Sequence, residues 1–235
     1  MLKFYFNGSP NPTKVALFLE EAGLPYKPVP VDPRRGAQFS PEFLAVNPNG
    51  KVPAIVDDGV TVFDSNAILL YLAEKTGKFL PPPNRKAELY SWMMFVATGI
   101  GPFCGQAVHF KHFAPEKVPY AHSRYQYEAQ RDFTIVEHRL ARHQYIVGED
   151  YTFVDMSLWS WTRMLPFIFG DDVWSKFPNA KRYHDMIAAR PAAQRALALK
   201  DRFSFAADMD AEARRHMFKH MANVSASSTA KNVDL

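Results

Sequence analysis

The chain has 235 residues, of which 47% are hydrophobic and 22% are charged, and its formal net charge is +4 at pH 7. These values are ordinary for one large globular domain or two smaller ones. No apolar run reaches the roughly 18 residues of a membrane span, and the scattered basic residues argue against nucleic-acid binding. A single cysteine excludes an internal disulfide. Because no signal-peptide pattern begins the chain, we expect a cytoplasmic protein with no membrane or nucleic-acid partner.

The first part of the chain alternates strand and helix patterns. Residues 2–6 have strand character, and residues 7–12 are a turn sequence rich in Asn, Gly and Pro. Apolar residues at helical spacing over 15–22 predict a helix that Gly23 ends. A second strand at 27–32 follows. Two strands joined by a helix indicate a βαβ unit with parallel strands.

A hairpin is predicted at residues 52–56 and 60–63, separated by Asp57, Asp58 and Gly59. Pro53 stands at the head of the first strand, where a residue without an N–H is tolerated. A cis bond is possible between Val52 and Pro53, since cis peptides are almost confined to X-Pro bonds. That geometry would leave the Val52 N–H and C=O pointing outward, so an extended peptide could pair with them.

Asp64 and Ser65 precede an apolar helical pattern that Gly77 ends. Ser65 is a suitable N-cap residue. The free N–H groups and the positive dipole end of a helix form a ready site for a carboxylate. This part of the chain therefore offers a backbone edge for a peptide, a helix end for its carboxylate and an Asp for an amine.

The combination of Val-Pro, a hairpin, and Asp-Ser opening a helix resembles the glutathione transferase family. The segments SPEFLAVNPNGKVPAIVDD and DSNAILLYLAEKTGKFL are similar to the N-terminal domain of that family. The segments SPNPTKVALFLEEAGLPY and VPYAHSRYQYEAQR resemble its bacterial Nu-class and yeast prion-related branch. The resemblance extends to about residue 203. It implies an α/β thioredoxin-like N-terminal domain plus an all-α C-terminal domain, glutathione as cosubstrate, no metal, and a homodimer.

The turn after the first strand is where this family stabilises the thiolate of glutathione. The resemblance gives that catalytic role to Ser9 and Asn11, because a donor to the charged form lowers the pKa of a thiol. The alternative is that both residues only form the turn, since Ser-Pro-Asn-Pro is a turn sequence.

The resemblance also implies a set of glutathione-binding residues. The glycine end of glutathione would be bound by Gln38 and Lys51, the amine by Asp64, and the γ-glutamyl carboxylate by Ser65. The alternative is that these residues have no ligand. Gln38 would then be a solvated polar residue, Asp64 and Ser65 would form a helix cap, and the two arginines of the set would be solvated charges. The full set is Gln38, Asn49, Lys51, Val52, Pro53, Asp64, Ser65, Arg124 and Arg131.

Three consecutive prolines after Leu80 indicate a stiff linker. We therefore expect a thioredoxin-like, glutathione-binding domain at 1–80, a linker at 81–86, a helical domain at 87–205 and a partly disordered extension at 206–235. Glycines and a proline over 99–105 predict a kink or break in the first long helix. The polar segment 225–232 is expected to be disordered or loosely draped.

Other residues of the helical part have structural interpretations. Thr152 and Asp155 form a capping box before an apolar run. Cys104 is expected to be a buried thiol rather than a nucleophile. His109 and His112 lack acidic or cysteine partners at ligand spacing, so we expect no metal site and assign them to the lining of a pocket entrance.

The resemblance implies a glutathione-dependent enzyme that reduces small disulfides through a bound glutathione thiolate. One alternative is conjugation of glutathione to an electrophile, or reduction of a peroxide, because both reactions need the same thiolate. A second alternative is a non-catalytic glutathione-binding regulatory protein. Activity on a model disulfide and on an aromatic electrophile would separate the enzymes. Binding without either activity would favour the regulatory protein.

Overall fold

The computed structural model describes residues 1–219, and the polar segment 225–232 lies outside them. The N-terminal part contains a four-stranded mixed sheet in the order β2-β1-β3-β4. Strand β1 is parallel to β2 and antiparallel to β3, as a thioredoxin-like domain requires. The strands are β1 (Leu2–Phe6), β2 (Tyr26–Pro30), β3 (Ala54–Asp57) and β4 (Val60–Phe63).

Three helices accompany the sheet: α1 (Pro10–Ala22), α2 (Pro41–Leu44) and α3 (Ser65–Thr76). Short 3-10 turns at Pro33–Arg35 and Ala37–Phe39 precede α2. The predicted helix ends are confirmed: Gly23 and Gly77 follow α1 and α3 with φ of 66° and 65°, which glycine adopts without strain.

Two local predictions were wrong. Helix α1 begins at Pro10, inside the segment predicted as a turn, because proline suits the first helical position with its fixed φ. The N-cap of α3 is Asp64 rather than Ser65. The Asp64 carboxylate accepts hydrogen bonds from the N–H groups of Asn66 and Ala67 at 2.9 and 3.1 Å, and Ser65 is the first helical residue.

The predicted hairpin is confirmed with a tighter turn. Asp57 pairs with Val60, so the loop is only Asp58 and Gly59, with φ of 49° and 88°. Two residues with positive φ make the turn type that fits the twist of paired strands. The Val52–Pro53 bond is cis, the geometry that the sequence admitted.

The rest of the described chain consists mainly of helices joined by loops. Helices α1 and α3 pack on α7, and α11 packs on α1, so the two parts of the molecule share a continuous core. The helices are α4 (Lys86–Phe95), α5 (Gly101–Val108), α6 (Pro119–Leu140), α7 (Phe153–Thr162), α8 (Leu165–Phe169), α9 (Val173–Lys176), α10 (Pro178–Ala188), α11 (Pro191–Ala198) and α12 (Ala211–Met217). Further 3-10 turns occur at Pro83–Arg85 and Leu199–Arg202.

No break interrupts the first long helix of this part within the described chain. Instead of the predicted break, the structure has two π-helical stretches, Val96–Ile100 and His109–Phe113. The N–H of Gly101 bonds to the carbonyl of Val96, which widens the helix just before Pro102. A π-bulge accommodates a proline, whose ring would clash with the carbonyl one ordinary turn earlier.

The capping box at α7 is confirmed. The Asp155 carboxylate accepts hydrogen bonds from the Thr152 N–H at 2.8 Å and from the Ile146 N–H at 2.9 Å. The hydroxyl of Tyr183 on α10 also donates to Asp155 at 3.2 Å. Asp155 therefore joins a loop, α7 and α10 in the buried centre of the helical part.

The C-terminal segment 206–219 returns to the thioredoxin-like part and packs on Pro33–Arg35. The Ala206 N–H donates to Asp32 at 2.7 Å, and Arg34 donates to the carbonyl of Ala207 at 2.8 Å. Near its end, the ring of Phe218 lies 5.7 Å from that of Phe113. The segment thus bridges the two parts of the molecule.

Candidate functional site

Asn11 is the main source of free hydrogen-bond donors at the start of α1. The neighbouring Pro10 and Pro12 have no N–H, and the N–H of Thr13 already donates to the carbonyl of Ser9. Within residues 1–219, neither the backbone N–H nor the amide Nδ2 of Asn11 donates a hydrogen bond. Both donors are therefore available to an anion at the positive end of the helix.

Asn11 is held against the start of α3. The buried hydroxyl of Ser65 donates to Asn11 Oδ1 at 3.4 Å, which leaves Nδ2 on the other side of the amide. Asp64, the exposed N-cap residue, has a φ of 69° that is rarely adopted by residues other than glycine. Strained backbone of this kind concentrates at functional sites. The structure brings Asn11, Asp64 and Ser65 together.

Ser9 is exposed, but its hydroxyl is already engaged. It donates to Asn7 Oδ1 at 2.6 Å, and the Ser9 N–H donates to the same oxygen at 2.9 Å. Asn7 therefore forms an Asx turn that orients Ser9. The sequence analysis placed Asn7 in the predicted turn but gave it no role at the site. The Ser9 hydroxyl can reach a ligand only by releasing Asn7, whereas the Asn11 donors are free.

The backbone edge before β3 is open. Neither the N–H nor the C=O of Val52 takes part in the turn, loop and cap hydrogen bonds of the described chain. Pro53 is buried, while Lys51 is exposed and its ammonium forms no ion pair in the region covered by the structure. Asn47 supports this edge: its Nδ2 donates to the Lys51 carbonyl at 2.6 Å, and its Oδ1 accepts from the N–H of Asn49 at 3.0 Å.

Gln38 is not the solvated side chain expected of it when considered alone, because only 6% of its surface is accessible. Its Nε2 donates to the carbonyls of Pro33 and His216 at 3.2 and 3.1 Å, and its buried Oε1 has no partner among the described residues. A Cβ on Gly36 would lie 2.7 Å from the His216 ring. The C-terminal segment therefore covers Gln38 and uses its donors.

Arg124 and Arg131 share a face of α6, as predicted, and both pair with Glu128. The contacts are 2.6 Å from Arg124 and 2.8 Å from Arg131, and Arg131 also lies 2.8 Å from the buried Asp132. The arginines, Arg131 first, hold the pKa of Glu128 below its usual range. In the described part of this chain, neither arginine forms an ion pair with Asp64 or a hydrogen bond with Asn11 or Ser65.

A cavity of about 430 Å³ lies beside Ser9. Arg34 and Lys200 contribute positive charge to its wall, and Phe205 and Met217 contribute apolar surface. Asp32 also lines the cavity, but its carboxylate already accepts hydrogen bonds from the N–H groups of Arg34 and Ala206. The cavity is thus suited to an organic anion with an apolar portion, and the C-terminal segment forms one of its sides.

Cys104 is fully buried, and burial raises the pKa of its thiol, as expected for a structural cysteine. His112 stacks on Phe167 at 3.9 Å between ring centroids, and His109 lies 5.0 Å from the Phe218 ring. Residues 1–219 contain no cluster of three or more potential metal ligands. Over the same range, no helix is both long enough and apolar enough to cross a bilayer.

Comparisons with known proteins agree with this architecture. The glutathione S-transferase N-terminal domain model matches residues 1–74, and the C-terminal domain model matches residues 105–191. The chain is 42% identical over 212 residues to the disulfide-bond oxidoreductase YfcG of Escherichia coli K12, covering 84% of this chain and 94% of that protein.

Two solved structures are similar over most of their length. A glutathione transferase from Burkholderia graminis with two glutathione molecules bound per subunit has a TM-score of 0.80 and 37% identity, covering 86% of this chain and 89% of that one. A glutathione transferase from Phanerochaete chrysosporium in complex with oxidised glutathione has a TM-score of 0.81 and 34% identity, covering 86% and 97%. The chain therefore belongs to the glutathione S-transferase family.

Proposed function

We propose that the protein is a glutathione-dependent disulfide reductase of the Nu type. The observation that carries this proposal is the pair of free donors on Asn11 at the positive end of α1. Donors aimed at a sulfur lower its pKa, and the thiolate is the nucleophile of disulfide exchange. The name of the relative YfcG, a disulfide-bond oxidoreductase, supports the same reaction.

In the proposed reaction, the thiolate of bound glutathione attacks one sulfur of the substrate disulfide. A mixed disulfide with glutathione forms, and the other half leaves as a thiolate that takes a proton from water. A second glutathione thiolate then attacks the glutathione sulfur of the mixed disulfide. Glutathione disulfide forms and the second substrate thiol leaves. Two glutathiones are oxidised for each disulfide reduced, so the cycle needs no cysteine of the protein.

The remaining contacts of glutathione are proposed from the same geometry. The cysteinyl backbone would pair with the open edge at Val52, next to Pro53, and the ammonium of Lys51 would meet the glycine carboxylate. Ser65 and the start of α3 would bind the γ-glutamyl carboxylate, and the free carboxylate oxygen of Asp64 would bind the amine. Asn49, beside Lys51, would complete the glycine end.

Three of the proposed binding residues could contact glutathione only after breaking a contact that they make within the protein. Gln38 can donate to a ligand only if the carbonyl of His216 gives up its hydrogen bond. Arg124 and Arg131 would act on a ligand only by extending away from Glu128. The two glutathiones bound to the relative from Burkholderia graminis suggest that a second molecule binds here as well, and the cavity beside Ser9 is a suitable place for it.

We also propose that the protein is a cytoplasmic homodimer. Exposed apolar side chains on β4, α4 and α6 support a subunit contact, since large exposed apolar surfaces mark interaction sites. They are Phe63, Tyr90, Met94 and Tyr127. The single cysteine suits a reducing compartment.

The experiment that tests the proposed function is turnover of a small alkyl disulfide with glutathione, in the wild type and in Asn11→Ala. Removing one preorganised donor to a reacting anion lowers turnover by about 100-fold. Asn84→Ala, in the Pro83–Arg85 turn, is the matched control and should leave the rate unchanged. Brisk turnover of an aromatic electrophile or a peroxide, without disulfide reduction, would instead establish the alternative enzyme. Glutathione binding with none of these activities would identify a regulatory binding protein.

A further inference from the structure

Lys14 is a fully buried lysine in the first half of α1. Only 1% of its surface is accessible, and its ammonium makes no hydrogen bond or ion pair with any residue that the structure describes. Its nearest described aromatic contact is the Trp161 ring, whose centroid lies 5.9 Å from Nζ. A charged side chain that is this buried and has no partner is unfavourable, so its presence calls for a physical reason.

Lys14 lies one turn after Asn11 on α1, so the two side chains share a helix face. Asn11 contacts Ser65 at the start of α3, and Asp64 at the same place is the charge that acts on Lys14. Burial lowers the pKa of Lys14 to about 7, and the negative charge of Asp64 opposes that shift. The amine is therefore close to its titration point at neutral pH.

The other elements that pack on α1 do not neutralise Lys14. Helix α7 presents the ring of Trp161, and Arg163 at its end lies over Trp159 instead, 5.5 Å from the ring centroid. Helix α11 presents Arg195, which pairs with Glu20 near the far end of α1. Among the residues that the structure describes, Asp64 is the charge that acts on Lys14, and Asp64 is exposed and also caps α3.

We propose that Lys14 is a positioning residue of the glutathione site, whose ammonium supplies the buried positive charge for the γ-glutamyl carboxylate at the start of α3. This inference rests on the proposed function. The ligand would provide the counter-charge that the free protein lacks, so binding would draw a proton onto Lys14. Ionisation of the ligand thiol has the opposite effect, because it releases a proton. A ligand without a free thiol therefore isolates the contribution of Lys14.

The test is calorimetry of S-methylglutathione binding near pH 8, in two buffers with different enthalpies of ionisation. The wild type should take up most of one proton, because the free amine is largely neutral at that pH. Lys14→Met should take up none and should bind about tenfold more weakly, because the ligand carboxylate has lost its charged partner in a largely desolvated place. Lys78→Met removes a lysine that donates to the Ala22 carbonyl at the other end of α1, and should behave as wild type.

The variant Lys14→Met should fold, since an apolar chain of similar length replaces an unpaired ammonium. Its melting temperature without ligand should equal or exceed that of the wild type. If it does not fold, Lys14→Arg keeps the charge at pH 8 and should bind without proton uptake. Wild-type affinity in Lys14→Met, or no proton uptake by the wild type, would overturn the inference.

The outcomes also separate this inference from the proposed function. A wild type that binds S-methylglutathione with proton uptake, but reduces no disulfide, would support the role of Lys14 and overturn the reductase activity alone. A wild type that does not bind S-methylglutathione would overturn both.

Discussion

At the scale of single residues, Lys14 should make the stability of the free protein depend on pH. Its pKa is about 7 in the folded chain and 10.5 in the unfolded one. Between these values the unfolded state holds a proton that the folded state has released, so the free energy of unfolding rises with pH by about 1.4 kcal/mol per pH unit. Below pH 7 both states are protonated, and the unfavourable burial of the charge is constant. The measurement is urea unfolding at several pH values between 7 and 9.

The comparison that isolates this effect is between the wild type and Lys14→Met, since other groups titrate equally in both. The difference in unfolding free energy between the variant and the wild type should shrink as the pH rises. Parallel pH dependences in the two proteins would show that Lys14 stays charged in the folded state across the whole range, which would contradict the lowered pKa.

The buried Cys104 should be dispensable for turnover. Its thiol is fully buried and has a raised pKa, and the proposed cycle uses only the sulfur of glutathione. Cys104→Ala is expected to keep disulfide reduction within about twofold of wild type while losing about 1–2 kcal/mol of stability from the small cavity. A steady-state assay and a thermal melt measure the two effects. Loss of turnover in a variant that is still folded would contradict a mechanism without protein cysteine.

The sequence could identify some site residues but not the state of their hydrogen bonds. Asn11 and Ser65 followed from the resemblance to the family, and the structure brings them within 3.4 Å. The hydrogen bond from the Ser9 hydroxyl to Asn7 could not be predicted, because it depends on the exact geometry of the turn and not only on the two residue types. The burial of Lys14 was also hidden, because a lysine within an apolar helix pattern is ordinarily at the surface.

At the scale of elements, the capping box at α7 should be a major source of stability. Asp155 accepts hydrogen bonds from the buried N–H groups of Thr152 and Ile146 and from Tyr183. Asp155→Ala would leave the N–H groups of Thr152 and Ile146 unsatisfied, whereas the Tyr183 hydroxyl would keep its 2.9 Å hydrogen bond to the backbone carbonyl of residue 155, so we expect a loss of about 2–4 kcal/mol in the free energy of unfolding. Urea denaturation measures it, with the exposed Asp171→Ala as a control that should change little.

Helix α12 should compete with glutathione for Gln38. Asp210 caps α12 by accepting from the N–H of Ala213 at 2.8 Å. Asp210→Ala should weaken this helix by about 1 kcal/mol, and if the segment must move aside, the apparent affinity for glutathione should rise by about fivefold. Titration calorimetry gives the affinity. Asp201→Ala, in the preceding turn, is the control.

The gain in affinity should depend on Gln38, so it should disappear when Gln38→Ala is added to Asp210→Ala. A lower affinity in Asp210→Ala would mean that the C-terminal segment forms part of the binding site instead of covering it.

Most strands and helices could be located from the spacing of hydrophobic residues and from the glycines that end helices, but the π-helical stretches could not. Gly99, Gly101 and Pro102 are usual signs of a helix break. Here the helix continues because the wider turn removes the proline clash. Packing makes this possible: Gly99 lies against the buried Asp132, and Gly101 lies against Trp161. Such contacts between distant segments are not visible in a local pattern.

At the scale of the whole molecule, the proposed homodimer predicts which apolar residues matter. Phe63 on β4 and Met94 on α4 are 44% and 53% exposed. Glutamate at these positions would bury a charge in a subunit contact, so Phe63→Glu and Met94→Glu should shift the protein toward the monomer mass in sedimentation. Phe167→Glu, with 43% exposure on α8, is the matched control and should keep the wild-type mass. A monomeric wild type, or equal dissociation in all three variants, would contradict the proposed interface.

The organisation in two parts was predictable because three consecutive prolines separate a region of alternating strand and helix patterns from a region of helical patterns alone. The contact made by residues 206–219 was not, since a short polar helix carries no signal of its destination. Its docking depends on Asp32 and Arg34, far away in the chain, which bind backbone groups rather than particular side chains. Because backbone groups are common to all residues, the composition of the segment does not show that it docks in this way.

The route of the C-terminal segment also decides how the protein should be prepared for study. A purification tag fused after Leu235 would be tethered to the segment that covers Gln38, and it would bias every binding measurement made there. Met1 is 83% exposed, and β1 runs from it towards the turn that carries Ser9, so a tag at Met1 starts at the opposite end of that strand. Affinities measured with amino-terminal and carboxyl-terminal fusions should therefore differ.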